Sequence, residues 1–263
     1  MNPYIPEFYR IVKKKKHTKD TFMIRIKADL PHEPGQFFQV SVLNQGEVPI
    51  SVCSYNKKYI DLNIRDVGTV THALAQLKVG DTVGVRGPYG HGYPMDFIKG
   101  NEVVIIAGGT GFSPVRGVIE YVEQHPTEFR GITMFLGFRC PKEILFKEDI
   151  KKWSKKYNVN LTVDRCFPED NWQGPVALVT KILEESKIGN NQKIAVVCGP
   201  PVMMKFVVVA LQKLGWNDDQ IYVSHERMMS CGIQKCGNCL VGGKYICKDG
   251  PVFRYDLART LVD

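Results

Sequence analysis

The sequence predicts a small β barrel, then a parallel α/β sheet domain, then a cysteine-bearing tail, on three observations. Short runs of β-branched and aromatic residues, broken by turn signals, fill positions 7 to 88. From residue 102, continuous apolar runs alternate with stripes at helical spacing. Close to the C-terminus, Cys231, Cys236, Cys239 and Cys247 stand in the spacing C-x4-C-x2-C-x7-C.

Barrel strands are expected at 9–12, 21–26, 37–42, 50–54, 59–64 and 82–86, separated by turns such as Pro34-Gly35, Asn56-Lys57-Lys58 and Val79-Gly80-Asp81. Residues 69–77 offer one short helix, with Val70, Leu74 and Leu77 on one side. The run Lys13 to Lys16 falls just past the first strand, where charge discourages edge pairing. In the second domain, residues 102–107 form a continuous apolar strand. Ser113 then caps a helix with Pro114 at its first position and Val115, Val118, Ile119 and Val122 on one face. Strands at 131–137, 161–163, 193–198 and 221–223 alternate with helices striped by Phe146, Ile150, Trp153 and Tyr157, by Val179, Ile182 and Leu183, and over 201–214. Such alternation requires a parallel sheet with helices on both faces.

At 263 residues the chain has room for two ordinary domains, and its 44% hydrophobic and 24% charged residues are those of a folded soluble protein. No apolar run reaches the length of a membrane span and the first residues lack a signal-peptide core, so a cytoplasmic protein is expected. The net charge of +8 comes from dispersed lysines, apart from Lys13 to Lys16 and a face carrying Lys151, Lys152, Lys155 and Lys156. No reader motif or aromatic interleaving accompanies that charge, which argues against nucleic-acid binding. Eight cysteines without a secretory signal argue for reduced thiols and a metal centre rather than a disulfide scaffold.

The x4-then-x2 order of the cysteines is the plant-type [2Fe–2S] spacing, whereas zinc knuckles usually show two C-x2-C pairs; structural zinc stays as the alternative. Gly232 and Gly237, each directly after a cysteine, leave room for backbone N–H groups to approach sulfur. Upstream, the first strand of the second domain ends in Gly108-Gly109-Thr110-Gly111 directly before a helix, and a later strand ends in Cys198-Gly199-Pro200 in the same situation. Gly-rich turns at the carboxyl ends of parallel strands can hold a pyrophosphate on backbone N–H groups, or can merely shape the turn.

Gly-Gly-Thr-Gly followed by Cys-Gly-Pro resembles the nicotinamide-binding domain of the ferredoxin–NADP reductase family. With the cysteine motif the resemblance narrows to flavin and iron–sulfur electron-transfer subunits: those of anaerobic sulfite reductase, of sulfhydrogenases (their γ subunit) and of dihydroorotate dehydrogenase. The stretches at 49–52, 90–96 and 249–255 look most like the anaerobic sulfite reductase type. The resemblance implies FAD on residues 1–95, at Pro49, Ile50, Ser51, Val52, Asn63, Ile64, Arg65, Gly68, Val70 and Thr71. It implies NAD(P)H, with NADH favoured, on residues 96–225, at Gly108, Gly109, Thr110, Gly111, Cys198, Gly199 and Pro200. The four cysteines of residues 226–263 would hold a [2Fe–2S] cluster. No nucleophilic residue is assigned. Electrons would leave for an iron–sulfur subunit and a sirohaem-type catalytic subunit that reduces sulfite to sulfide; the alternative partners are a hydrogenase or dihydroorotate dehydrogenase. In one place the sequence departs from the family, since Val48 stands where an Arg usually pairs with a flavin phosphate. Arg65 is the expected replacement.

Overall fold

The computed structural model describes residues 3–261. Strands β1 (Glu7–Lys16), β2 (Thr21–Ile26), β3 (Phe37–Val42), β4 (Gly46–Ser51), β5 (Ile60–Arg65) and β6 (Thr82–Tyr89) build the first domain, with helix α1 (Thr69–Gln76) before the last of them. They pair antiparallel in the order β4-β3-β6-β1-β2-β5. A bridge between Val52 and Leu62 joins the outer strands and closes the barrel. Side chains alternate across each strand, which puts Ile11, Ile24, Phe38, Val40, Ile60 and Leu62 fully inside.

The lysine run lies elsewhere than expected. Lys13 to Lys16 are the second half of β1 and pair with Arg25 to Phe22 of β2. Specific partners absorb the charge: Lys14 Nζ donates to the Leu77 carbonyl just past α1 at 2.6 Å, and Lys15 pairs with Glu148 at 2.6 Å. The fourth strand also begins earlier than expected, because Pro49, opposite Gln39, sits on an outer strand of the sheet where a missing N–H is tolerated.

A short helix α2 (Met95–Ile98) leads into β7 (Glu102–Gly108), α3 (Phe112–Gln124), β8 (Gly131–Phe138), α4 (Lys147–Trp153), β9 (Asn158–Val163), α5 (Val179–Ser186), β10 (Lys193–Cys198), α6 (Pro201–Lys213) and β11 (Ile221–Ser224). Then come the hairpin β12 (Leu240–Val241) and β13 (Lys244–Tyr245), α7 (Ile246–Asp249), β14 (Val252–Arg254) and α8 (Tyr255–Ala258). The sheet order is β14-β11-β10-β7-β8-β9, parallel throughout except for β14. On β7, Val103, Ile105 and Ala107 join the core under α3 and α4, while Val104 and Ile106 join the one under α5 and α6. Burial on both faces is why this strand is continuously apolar; each of its valines and isoleucines is worth roughly 1.5–3 kcal/mol. The cysteine-bearing segment packs on the second of these cores through Cys239, Val241, Ile246 and Cys247 and rejoins the sheet at β14. Among the described residues no helix is long and apolar enough to cross a membrane.

Where the two domains meet, apolar contacts of Met23, Cys53 and Phe37 are joined by polar groups. Arg116 of α3, 8% exposed, donates to the Cys53 carbonyl at 2.6 Å and pairs with Glu120 at 2.7 Å and Asp149 at 2.9 Å. Fully buried Asp61 on β5 receives Arg25 at 2.6 and 2.7 Å and lies 3.8 Å from Arg116. Ser113, expected as a helix cap, is buried in this interface instead. The helix cap is Gly111, and the Ser113 hydroxyl accepts the Asn63 side-chain amide at 2.7 Å.

Candidate functional site

From β7 the chain moves outward to β8 and β9, then crosses to β10 on the other side of β7. Ligands of open α/β sheets bind where the strand order reverses, outside the carboxyl ends of the strands. Gly108 to Gly111 end β7, Cys198 to Pro200 end β10, and the two turns press on each other. A Cβ on Gly111 would lie 2.5 Å from Gly199 backbone atoms and 2.6 Å from the Cys198 carbonyl carbon. One on Gly108 would lie 2.2 Å from the Met203 sulfur, and one on Gly199 would lie 2.5 Å from the Met203 methyl. Gly109 differs: its φ is +54° and a Cβ there would meet nothing, so this is the glycine that faces open space. Gly111→Ala is therefore expected to spread the two turns, costing about 1–3 kcal/mol of overpacking and weakening nicotinamide binding, because the obstacle is backbone. Thermal melts and an NADH titration check it; wild-type values in both would contradict the close approach.

Cys198 is 2% exposed, and burial with the nearby Glu226 pushes its thiol up to about 12. It stays neutral at pH 7 and is a poor nucleophile, which fits a contact role.

Of the residues expected at the flavin, Ile50, Val52 and Ile64 point into the barrel core and Val70 packs against it, so any contact from the first three comes through backbone. Asn63 faces the domain interface, and its Oδ1 is buried without a partner. Gly68 and Thr71 are occupied with each other. The Thr71 hydroxyl accepts the amides of Val67 and Gly68 at 3.0 and 2.9 Å and donates to the Gly68 carbonyl at 2.9 Å. The donors left over are the first-turn amides of α1, at Thr69, Val70 and Thr71, with no acidic side chain among them. Beside Gly68 a Cβ would meet open space. A helix start with free amides and no carboxylate suits a flavin phosphate. Arg65, exposed on β5, is held through Nε by Asp20 at 2.7 Å, and Asp20 is oriented in turn by the hydroxyls of Thr18 and Thr21. Arg65, Thr21, Gly109 and Thr110 line one cleft of about 50 Å³ between the domains. The structure thus brings the expected replacement arginine to the dinucleotide turn.

Around the cysteines the backbone is turned onto sulfur. The amides of Ile233, Lys235 and Cys236 point at the Cys231 sulfur at 3.4, 3.2 and 3.4 Å, and that of Gln234 at the Cys247 sulfur at 3.3 Å. Positive φ at Gly232, Gln234 and Gly237 makes this wrapping possible. Burial alone would raise the Cys231 thiol; the amides bring it down to about 7. Burial and the adjacent Cys239 push Cys247 up to about 12. All four cysteines are free of disulfides, and their thiols lie close enough to perturb one another, Cys231 with Cys236, and Cys247 with both Cys239 and Cys231. No three of the side chains form a single-ion cage among the described residues. Thiols with amide donors already in place fit an iron–sulfur cluster, whose sulfurs take such hydrogen bonds.

Sequence reasoning missed Arg86 on β6. It is 8% exposed, paired with Glu47 of β4, and donates to the Cys231 carbonyl at 3.1 Å. It missed Arg116 too. The only signal for that one was the i,i+4 spacing to Glu120, which reads as an ordinary surface pair. Asp20 carried no signal.

Comparison with known proteins finds three domain profiles along the chain. A profile for the oxidoreductase FAD-binding domain matches residues 9–93, one for the oxidoreductase NAD-binding domain matches 105–209, and one for the iron–sulfur cluster binding domain of dihydroorotate dehydrogenase B matches 226–258. The γ subunit of sulfhydrogenase 2 from Pyrococcus furiosus is 36% identical, over 97% of this chain and 96% of that one. A probable dihydroorotate dehydrogenase B electron transfer subunit from the same organism is 32% identical, over 89% and 85%. Among solved structures, an NADH-dependent reduced ferredoxin–NADP oxidoreductase superposes with a TM-score of 0.77 at 25% identity, over 96% of this chain and 92% of that one. The anaerobic sulfite reductase type expected from the short stretches is not among these relatives, and nothing in them supports sulfite reduction. Full-length identity of 36% with a sulfhydrogenase γ subunit, together with the three domain matches, shows that this chain belongs to the family of FAD- and NAD-binding electron-transfer subunits with a C-terminal iron–sulfur domain.

Proposed function

We propose that the chain is the NAD(P)H-facing electron-transfer subunit of a sulfhydrogenase-type complex, with FAD on residues 1–95, the nicotinamide on 96–225 and a [2Fe–2S] cluster on 226–263. The observation that carries the reading is the shared cleft: Arg65 of the barrel and the Gly109–Thr110 turn open onto the same space. When bound, FAD would take two electrons from the nicotinamide as hydride and release them singly, which a one-electron cluster requires. The protein's own work is placement. The first-turn amides of α1 and the Arg65 guanidinium hold phosphate, Asp20 aims the guanidinium, and the touching turns at Gly111 and Gly199 fix the dinucleotide end of the sheet. The plant-type spacing favours two irons over one zinc.

Anoxic purification followed by absorbance spectra before and after NADH tests the relay. Flavin and cluster bands that both bleach support it, whereas a colourless protein without iron or flavin overturns it. The partner class is tested on the affinity-purified complex. Hydrogen-dependent reduction of NAD(P)+ supports a sulfhydrogenase type, the partner class favoured by the γ-subunit likeness, and sulfite-dependent NADH oxidation would replace it.

A further inference from the structure

Arg86 is a buried cation that touches both the barrel and the cysteine-bearing loop. Its guanidinium pairs with Glu47, four residues before Ser51 on the strand read as flavin-contacting, with Nε to Oε2 at 2.9 Å. Nη2, which also pairs with Glu47 Oε1, donates to the carbonyl of Cys231, the first cysteine of the cluster motif, at 3.1 Å. The remaining donors reach the Pro3 carbonyl and, at 3.1 Å, the Tyr89 hydroxyl. Next to it the loop lies flat on the barrel. Fully buried Gln39 donates to the Ser230 carbonyl at 3.4 Å, and a Cβ on Gly232 would come within 3.2 Å of both Gln39 and Tyr89. An arginine that is only 8% exposed is an expensive way to pin a loop, since burial of a charge costs free energy even when paired.

We infer that the Glu47–Arg86 pair is a positioning device that fixes the cluster-bearing loop against the flavin-bearing barrel and sets the cluster's reduction potential by its charge. The inference rests on the reading that the four cysteines hold a two-iron cluster. A tie from β4 through Glu47 and Arg86 to Cys231 holds the distance between the two cofactor sites constant, because each link is a hydrogen bond to a rigid strand or to the ligand's own backbone. The pair is close to neutral as it stands. Removing one member leaves a net charge of known sign beside Cys231, only partly screened because the Arg86 and Glu47 side chains are 8% and 23% exposed.

The test is a potentiometric titration of the loaded full-length protein, followed by the cluster's electron paramagnetic resonance signal. Arg86→Gln leaves Glu47 negative and is expected to make the cluster harder to reduce, by about tenfold in the reduced-to-oxidised ratio at a given solution potential, or about 59 mV for one electron. Glu47→Gln leaves Arg86 positive and is expected to shift the ratio by a similar factor the other way. Arg86→Lys keeps the charge and loses the fork geometry, so its potential should lie near wild type while the signal broadens from a less fixed loop. Simple loosening would move both neutral variants in one direction. Shifts of the same sign, or no shift in either with iron and flavin at wild-type content, overturn the inference. Should Arg86→Gln fail to load, Glu47→Gln and Arg86→Lys decide it alone. A wild-type protein that holds no iron would overturn the cluster reading itself, a result separate from any failure of this one.

Discussion

Cys239→Ser is expected to remove nearly all iron from the protein while leaving NADH oxidation with a two-electron artificial acceptor largely intact. Cys239 is 1% exposed and belongs to the apolar core shared with α6, so neither water nor a neighbouring side chain can take its place. Serine brings a hard oxygen where a thiolate is required, and its buried hydroxyl adds roughly 1–3 kcal/mol of destabilisation if it finds no acceptor. Changes one shell away from a metal already cost about 10–100-fold in affinity, so loss of the ligand itself should exceed that range. The barrel and the β7–β10 turns contain no part of this loop, which is why the flavin and nicotinamide steps are expected to survive. Cys236→Ser makes a useful contrast: that residue is exposed, and a labile, partly loaded cluster is expected there. Iron content, the visible spectrum and the ratio of two-electron to one-electron acceptor activity read all of this. Cys239→Ser protein with full iron and wild-type one-electron transfer would remove the cysteine motif from the mechanism.

The parts of the molecule that were legible in the sequence are those whose cause is local. The period of β7 betrays burial on both faces, the glycines at 108–111 betray a close approach, and the cysteine spacing betrays a wrapped loop, because each is a repeat or a steric demand within a few residues. What could not be read depends on pairing between distant positions. Lys13 to Lys16 look like an exposed edge until Leu77 and Glu148 supply partners. Ser113 looks like a cap until Asn63 arrives from the other domain. Arg86 looks like the end of a strand, and its partners lie 39 and 145 residues away in sequence. The sulfite-reducing partner is left without support for a related reason: it rests on short stretches at 49–52, 90–96 and 249–255, and full-length similarity outweighs them.

Arg116→Ala is expected to destabilise the protein by about 3–5 kcal/mol at neutral pH, the usual cost of removing one partner from a buried charge network. Arg25 still neutralises Asp61 through two bonds, so the loss falls mainly on the Cys53 carbonyl and on Glu120, which is 16% exposed and keeps only the amide of Tyr55 at 2.7 Å. Asp149, about a third exposed, is solvated enough to contribute less. Burial already raises the Glu120 carboxyl in the intact protein, with Arg116 pulling against it, and without the arginine it should rise further. A carboxyl raised in the folded state binds its proton more tightly folded than unfolded. Its penalty is therefore full above the folded pKa and is relieved as pH falls through that value toward the unfolded one. The variant should accordingly recover part of its lost stability as pH falls from neutral toward the ordinary glutamate range, in the direction opposite to the usual acid weakening of paired carboxylates. Urea unfolding across that range measures this. An Arg116→Ala protein that loses less than about 1 kcal/mol, or whose deficit grows on acidification, would mean that the barrel and the nucleotide domain are held together by their apolar contacts and not by this buried cation.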